Sequence, residues 1–342
     1  MAYSKEVLHR AEARLEQARR QNELDCERRI SAIYEKLPRL AEIDRELRRT
    51  SAKVYAAAFR ESESPEQAMQ KLKEENLSLQ RERDWILESE NIDPEDLERE
   101  PVCRLCGGSG WRGAAMCECL QELCRQEQKK VLLQSFGTGK ESFEKFRLDV
   151  YPDRLDPKLG ISPRALMKRV YESAVSYAKT FSTASESLLF MGATGLGKTL
   201  LSGCIARAVA DRGYSVCYVS AGKLFSDFET EKFRLKEDGA LTGEYLQTDL
   251  LIIDDLGTEM TTQFTVSALY QIVNGRLLSG KPTIVSTNLP DTELEARYSA
   301  QIASRLLGAY TLYQFCGTDV RLLRKMESRV DEPARRNGQL QF

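Results

Sequence analysis

The run Gly192-Ala-Thr-Gly195-Leu-Gly197-Lys198-Thr199 has the residue types and spacing of a phosphate cradle. It follows a short apolar stretch, Leu188-Leu-Phe-Met191, and runs into Leu200-Leu-Ser-Gly-Cys-Ile-Ala-Arg-Ala-Val-Ala, an apolar-striped helical segment. Strand, G-x-x-x-x-G-K-[ST] and helix in that order is the context that gives the pattern its meaning. The glycines let backbone N–H groups wrap phosphates, and the helix N-terminus adds the positive end of its dipole. Gly192, Ala193, Thr194, Gly195, Leu196, Gly197, Lys198, Thr199 and Leu200 are therefore expected to bind a nucleotide. Lys198 should bridge the β- and γ-phosphates, and the Thr199 hydroxyl should ligate Mg2+. About fifty residues on, Asp249-Leu-Leu-Ile-Ile253-Asp254-Asp255 reads as a buried strand whose acidic tip faces the ligand. Asp254 should hold Mg2+, and Asp255 should orient or deprotonate the attacking water. The next apolar strand, Pro282-Thr-Ile-Val-Ser-Thr-Asn288, ends in an amide that either positions that water or forms the turn before Leu289-Pro290. A phosphoryl transition state wants a guanidinium, for which Arg297, Arg305, Arg321 and Arg324 are candidates.

A second chemistry is written in Cys103-x2-Cys106 and Cys117-x-Cys119, separated by a glycine-rich turn. Two close thiol pairs of this kind can surround one tetrahedral Zn2+, closed to water and hence structural rather than catalytic. Cys124 is a spare ligand candidate. The crowding of four of the nine cysteines argues against a disulfide frame and for a cytoplasmic thiol protein. The one histidine, His9, lies in a charged helical tract, which excludes imidazole-based triads and zinc sites built from two cysteines and two histidines.

These motifs need elements to carry them, and the composition changes along the 342 residues. Lys and Arg number 50 against 52 Asp and Glu, so the net charge of −2 excludes a purely electrostatic nucleic-acid binder. Residues 1–100 hold 19 basic and 24 acidic residues and no glycine. Leu8, Ala11, Leu15 and Ala18, then Ile30, Ile33, Leu37, Leu40, Ile43 and Leu47, recur at helical spacing, with Pro38 expected to break the first helix. Ser64-Pro65-Glu66-Gln67 is a helix start with a capping box. Beyond it Leu72, Leu79 and Ile86 repeat every seventh residue beside Met69, Asn76 and Arg83. So narrow a seam suits a coiled coil or helical hairpin, either a solvated spacer or a partner-binding arm. Past residue 160, helical segments alternate with the runs Leu188–Met191, Val216–Val219, Leu250–Ile253 and Thr283–Ser286, implying a parallel sheet covered on both faces. The expected organisation is a helical arm over 1–100, a four-cysteine zinc module over 101–125, a connector over 126–160, an ATPase domain over 161–330 and a flexible tail over 331–342. No signal peptide or transmembrane run is visible, so no membrane association is expected.

Together, Phe143-Glu-Lys-Phe146, Tyr151-Pro-Asp, Gly192–Thr199, Asp249–Gly257 with Glu259, Tyr270-x-x-Val-Asn-x-Arg276, Ser286-Thr-Asn288, Tyr298, Ser304-Arg305-Leu and Phe315-x-Gly317-x-Asp-Val-Arg321 resemble an AAA+ ATPase of the DnaC/DnaI-like helicase-loader group, with the IstB transposition ATPases as near relatives. The resemblance implies an α/β AAA+ P-loop fold. It implies that Thr199 and Asp254 share Mg2+, that Asn288 is the sensor-1 residue, that Arg305 is a finger reaching an adjacent subunit's ATP, and that Arg321 reads the γ-phosphate in cis. Asp255 stands where AAA+ proteins generally carry Glu. Its carboxylate is one methylene shorter, so slow, switch-like hydrolysis is expected.

The partners implied are a replicative hexameric helicase held by the arm, single-stranded DNA, and further copies of the chain. Lys223, Lys232, Arg234 and Lys236, interleaved with Phe225, Phe228 and Phe233, either line a DNA path or form an ordinary amphipathic helix. Two other readings are an IstB-like transposition helper and an adaptor whose ATP site regulates only its shape.

Overall fold

The computed structural model describes residues 3–50, 65–135, 142–157, 159–233 and 240–320. The chain divides into two compact units, one of Glu12–Gln121 and one of Met1–Ala11 with Glu122–Phe342.

In the first unit, helix α1 (Lys5–Lys36, of which residues from Glu12 on belong here) ends ahead of Pro38, as the ring requires, and α2 (Pro38–Arg48) starts with that proline at its first position. Helix α3 begins at Pro65 and runs to Ser89; Ser64 lies outside the described residues. Helices α2 and α3 bury Leu40 and Ile43 against Ile86 and Leu87, with Leu37, Leu47 and Leu79 at the margin. The seven-residue seam thus closes within the chain, as a hairpin. Its polar companions fix the register. Arg83 donates to Asp44 at 2.7 Å, Tyr34 donates to the same carboxylate at 2.6 Å, and Asn76 accepts from Thr50 at 2.8 Å. After a short 3-10 turn, Pro94–Leu97, the strands β1 (Trp111–Arg112) and β2 (Ala115–Met116) form a minimal hairpin ahead of helix α4 (Glu118–Ser135).

The second unit is built on five parallel strands, β3 (Leu188–Met191), β4 (Val216–Ser220), β5 (Leu250–Leu256), β6 (Thr283–Thr287) and β7 (Thr311–Gln314), in the spatial order β4-β5-β6-β3-β7. Successive residues feed opposite faces. Leu189, Leu251, Ile253 and Val285 enter one core cluster, and Leu188, Phe190, Leu250, Ile252 and Ile284 enter the other. Both faces are covered by helices: α5 (Pro163–Thr180), α6 (Lys198–Asp211), α7 (Ala221–Phe233), α8 (Ala240–Gln247), α9 (Gln263–Leu278), α10 (Asp291–Tyr298) and α11 (Ala300–Ala309). The four expected strands are present. The fifth, β7, is not among the expected ones, because its four residues are only partly buried and carry no continuous apolar run.

One expectation needs correction, and one pair of alternatives is decided. The described part of the expected connector 126–160 is not a plain connector: Leu132, Phe146 and Tyr151 are buried in the core of this unit. Phe225 and Phe228 on α7 are 4% and 6% exposed inside the other core cluster, so they offer no face to a base. Lys223 pairs with Asp227, and Lys232 lies 5.0 Å from the Phe264 ring centroid, which makes α7 an ordinary amphipathic helix over its described part. Arg234, Lys236, Arg321, Arg324 and the tail lie outside the described residues.

One buried side chain ties the sheet together. Arg276 on α9 is fully buried. It donates to the Thr283 hydroxyl at 2.8 Å and to the carbonyls of Tyr245 at 2.8 Å and Thr248 at 2.9 Å, and also reaches that of Pro282. The guanidinium thereby joins the end of α8 to the entries of β5 and β6. Burial draws its pKa down to about 10, still charged at neutral pH. Removing the donors orphans several buried carbonyls at once. Arg276→Ala is expected to lower the unfolding free energy of the sheet-bearing unit by roughly 3–5 kcal/mol, and Arg276→Lys to recover only part of it, since an ammonium cannot span the same acceptors. Urea titration followed by circular dichroism checks both; a loss under about 1 kcal/mol for the alanine variant would contradict this role.

Candidate nucleotide site and thiol cluster

The glycine turn joins β3 to α6. Gly195 has φ +77, and a Cβ there would fall on the Asp319 carboxylate, so only glycine serves both the backbone and the space. Val320 donates its N–H to the Gly195 carbonyl at 3.0 Å, which docks the Gly317-Thr-Asp-Val segment on the turn. From the other side the Tyr151 hydroxyl donates to the Leu196 carbonyl at 2.8 Å, and Phe146 stacks on Tyr151 with centroids 5.9 Å apart. Lys198 is buried, with its ammonium on the carbonyls of Gly192 at 2.7 Å and Ala193 at 2.8 Å.

The acids come from an irregularity in the sheet. Ile253 pairs with Val285 and Leu256 with Thr287, so Asp254 and Asp255 together stand opposite Ser286 alone: a β-bulge. Asp255 adopts φ +55, left-handed, which Asp tolerates better than most residues. Its N–H donates to the Ser286 hydroxyl at 3.0 Å, and that hydroxyl donates to one Asp254 carboxylate oxygen. Tyr218 donates to the other at 2.6 Å.

A cavity of about 940 Å³ is lined by Thr194 through Leu200, Tyr218, Asp254, Asp255, Asn288 and Val320, among others. Lys198, Thr199, Asp254, Asp255 and Asn288 are thus gathered on one space, while Gly192 and Ala193 act from behind by holding Lys198. Backbone N–H groups at a helix N-terminus, an ammonium, a hydroxyl and a carboxylate are the donor set that a Mg2+–nucleoside triphosphate requires. Arg305 does not line this cavity. Its Nε donates to Asn274 at 2.9 Å and a terminal nitrogen donates to the Tyr270 hydroxyl at 3.1 Å, with the guanidinium 4.8 Å from that ring's centroid. Arg297 is spent on Thr261, at 2.7 Å, and on the Glu259 carbonyl. Deeper in the cavity wall, burial, together with the nearby Glu6 and Asp227 carboxylates, pushes Glu244 up to about 6.

Sequence reasoning missed Tyr218, Ser286 and Asp319 as site residues. Ser286 and Asp319 lie inside quoted motifs, but Tyr218 sits in a plain strand with no pattern to mark it.

In the other unit the thiols of Cys103, Cys106, Cys117 and Cys119 all lie within 4.8 Å of one another; Cys124 is not in the group. A tetrahedral site with Zn–S bonds of about 2.3 Å has sulfur–sulfur edges of roughly 3.8 Å. The Cys103–Cys117 and Cys106–Cys119 separations are 3.9 and 3.5 Å, so the set fits Zn2+. Burial opposes ionisation of Cys106, but the Gly110 N–H and the neighbouring thiols bring it down to about 6. Burial and the same neighbours push Cys119 up. Gly110 has φ +81, and a Cβ there would meet Leu15 and Leu120, so the knuckle is pressed against apolar side chains.

Fold and site define an AAA+ P-loop nucleotide-binding domain. Residues 167–311 match the family described as IstB-like ATP binding protein. An ATP-binding protein in an insertion sequence of Mycobacterium tuberculosis is 30% identical over 105 residues, 31% of this chain and 41% of that protein. The replicative helicase loader DnaC of Escherichia coli K12 is 27% identical over 135 residues, 39% of this chain and 55% of the loader. The chain thus spans about half the length of the curated relatives it matches. Among solved structures, that of the DnaC helicase loader aligns with a TM-score of 0.42 at 19% identity, covering 51% of this chain and 98% of the other. Domain III of the Thermotoga maritima replication initiation protein DnaA aligns with a TM-score of 0.43 at 22% identity, covering 55% and 72%. Among the described residues no helix is long and apolar enough to cross a membrane.

Two outcomes are expected. Purified protein should carry one equivalent of zinc, and chelation or Cys117→Ser should cost the Glu12–Gln121 unit much of its helical signal in circular dichroism; a metal-free preparation with full helicity would contradict this. Glu244 is held above the ordinary carboxylate pKa, so its ionisation costs stability as pH rises through about 4.5 to 6. Glu244→Gln should therefore raise the melting temperature at pH 7 and lose that gain below pH 4.5, as thermal scans across pH would reveal.

Proposed function

We propose that this chain is an ATP-hydrolysing switch that loads a replicative hexameric helicase onto single-stranded DNA. The observation that carries the reading is the separation of Arg305 from the cavity that gathers Lys198, Thr199, Asp254, Asp255 and Asn288. A guanidinium kept rigid by Tyr270 and Asn274, and away from its own subunit's phosphates, is suited to a neighbour's. ATP then joins subunits, and hydrolysis separates them. Lys198 and the glycine turn hold the phosphates, Thr199 and Asp254 hold Mg2+, Asp255 and Asn288 orient the water, and Arg321 reads the γ-phosphate. Mg2+ supplies neutralisation of charge developing on the phosphates. The hairpin and four-thiol knuckle of the Glu12–Gln121 unit are the handle for the helicase, with zinc in a purely structural part. The short acid at 255 makes turnover slow.

A second reading, a transposition helper that recruits a transposase, has its own support in the IstB-like match of residues 167–311 and the insertion-sequence relative. Co-elution of the full chain, with ATP, with a hexameric helicase or with a transposase encoded beside it decides between the two.

The shared core of both readings has a sharper test. Lys198→Ala and Arg305→Ala should each lower ATPase turnover by about 100-fold or more. Equimolar mixing of the two variants should restore a measurable share, because a subunit with an intact phosphate turn meets an intact finger from its neighbour. Mixed subunits that stay as inactive as either parent would rule out action across a boundary.

A further inference from the structure

We propose that Tyr218 and Ser286 are positioning residues that lock the Asp254 carboxylate in one orientation toward the metal and tie that orientation to Asp255. The inference rests on the reading of Asp254 as a Mg2+ ligand and deepens it.

Asp254 is 5% exposed, and a buried carboxylate must have its oxygens satisfied. Each oxygen has one donor, and the two donors come from the strands on either side: Tyr218 on β4 and Ser286 on β6. The pair removes the rotation about the Cβ–carboxylate bond that a strand-tip aspartate otherwise keeps. Each oxygen still has a lone pair for a cation or for water bound to one. Ser286 is fully buried, and its hydroxyl does two jobs at once, accepting from the Asp255 N–H while donating to Asp254. The metal carboxylate and the water-orienting carboxylate thus share one oxygen atom as a reference point. Tyr218 adds a further constraint, because it lines the nucleotide cavity and its hydroxyl reaches the acid. Residues that orient a ligand from behind in this way typically govern metal affinity by 10–100-fold.

The Tyr218→Phe variant removes one oxygen and leaves the ring. In the full chain saturated with a non-hydrolysable ATP analogue, Mn2+ binding followed by electron paramagnetic resonance should weaken about 10-fold, and the Mg2+ concentration for half-maximal ATPase should rise in parallel. Binding of the analogue in EDTA should stay at the wild-type value and the melting temperature should fall only by the few degrees that one unpaired carboxylate oxygen costs, whereas a merely structural tyrosine would change stability without changing Mn2+ affinity. Ser286→Ala, an independent variant, should weaken Mn2+ binding and also lower turnover at saturating metal, because Asp255 loses its anchor. Wild-type Mn2+ affinity in Tyr218→Phe, with Asp254→Asn strongly weakened, would overturn the proposal while leaving Asp254 as the ligand. Unchanged Mn2+ affinity in Asp254→Asn would overturn the reading on which it rests.

Discussion

Two residues of β5 face one residue of β6, and the nucleotide site depends on that mismatch. In a regular strand consecutive side chains point to opposite faces, so adjacent acids could not both address one ligand. The bulge bends β5 at its tip and re-aims Asp255, while Asp254 stays buried. Bulges in parallel pairs are rare, and a left-handed residue costs on the order of 1–2 kcal/mol. The hydrogen bonds through Ser286 offset that cost. The same geometry gives a reason for the shorter acid at 255. Aspartate is enriched among residues with positive φ, its short polar side chain bonding locally where a longer one gains nothing. What reads in the sequence as a departure from general AAA+ usage follows from the backbone.

Strand order turns this local device into a site. Because β6 lies between β5 and β3, its tip delivers Asn288 between the acids and the glycine turn. Helix α9 then serves two places. Arg276 reaches into the sheet and holds the entries of β5 and β6. Tyr270 and Asn274, one turn apart and so on a common face, hold Arg305. The spacing Tyr-x-x-Val-Asn-x-Arg is thus two functions interleaved on one helix, one inward and one toward α11.

Much of this was legible in the sequence, for reasons that can be named. The glycine turn showed because a strand, two left-handed glycines and a helix leave little choice of residues. Four strands showed because burial in a parallel sheet fills each of them with a short run of apolar or β-branched residues. Strand β7 lacks that pressure, because its residues are half-buried or exposed in alternation. The segment around Phe146 and Tyr151 looks like a connector because breakers interrupt it, yet its aromatics brace the turn at Leu196. A stacking role for Phe225 and Phe228 fails because helical spacing places both toward the core. Tyr218 was invisible: its hydroxyl acts across strands, and no local spacing records a partner thirty-six residues away.

The arm presents a different physical problem. Among the described residues of Glu12–Gln121, the buried apolar side chains are Leu15, Cys26, Leu40, Ile43, Ile86, Leu87, Cys117 and Leu120. That is a thin core for helices otherwise faced with charge, and exposed ion pairs such as Arg39 with Glu82 contribute little. Helical propensity alone does not hold such a hairpin. The half-buried Arg83–Asp44–Tyr34 network fixes register more than it adds stability. Among the described residues of the unit, the four thiols are the feature that could supply a large term, since structural zinc sites bring roughly 10–16 kcal/mol to folding. Leu15 of α1 and Leu120 of α4 both lie against Gly110 of the knuckle, so a metal held by the four thiols would organise the helices around it as well as the loop.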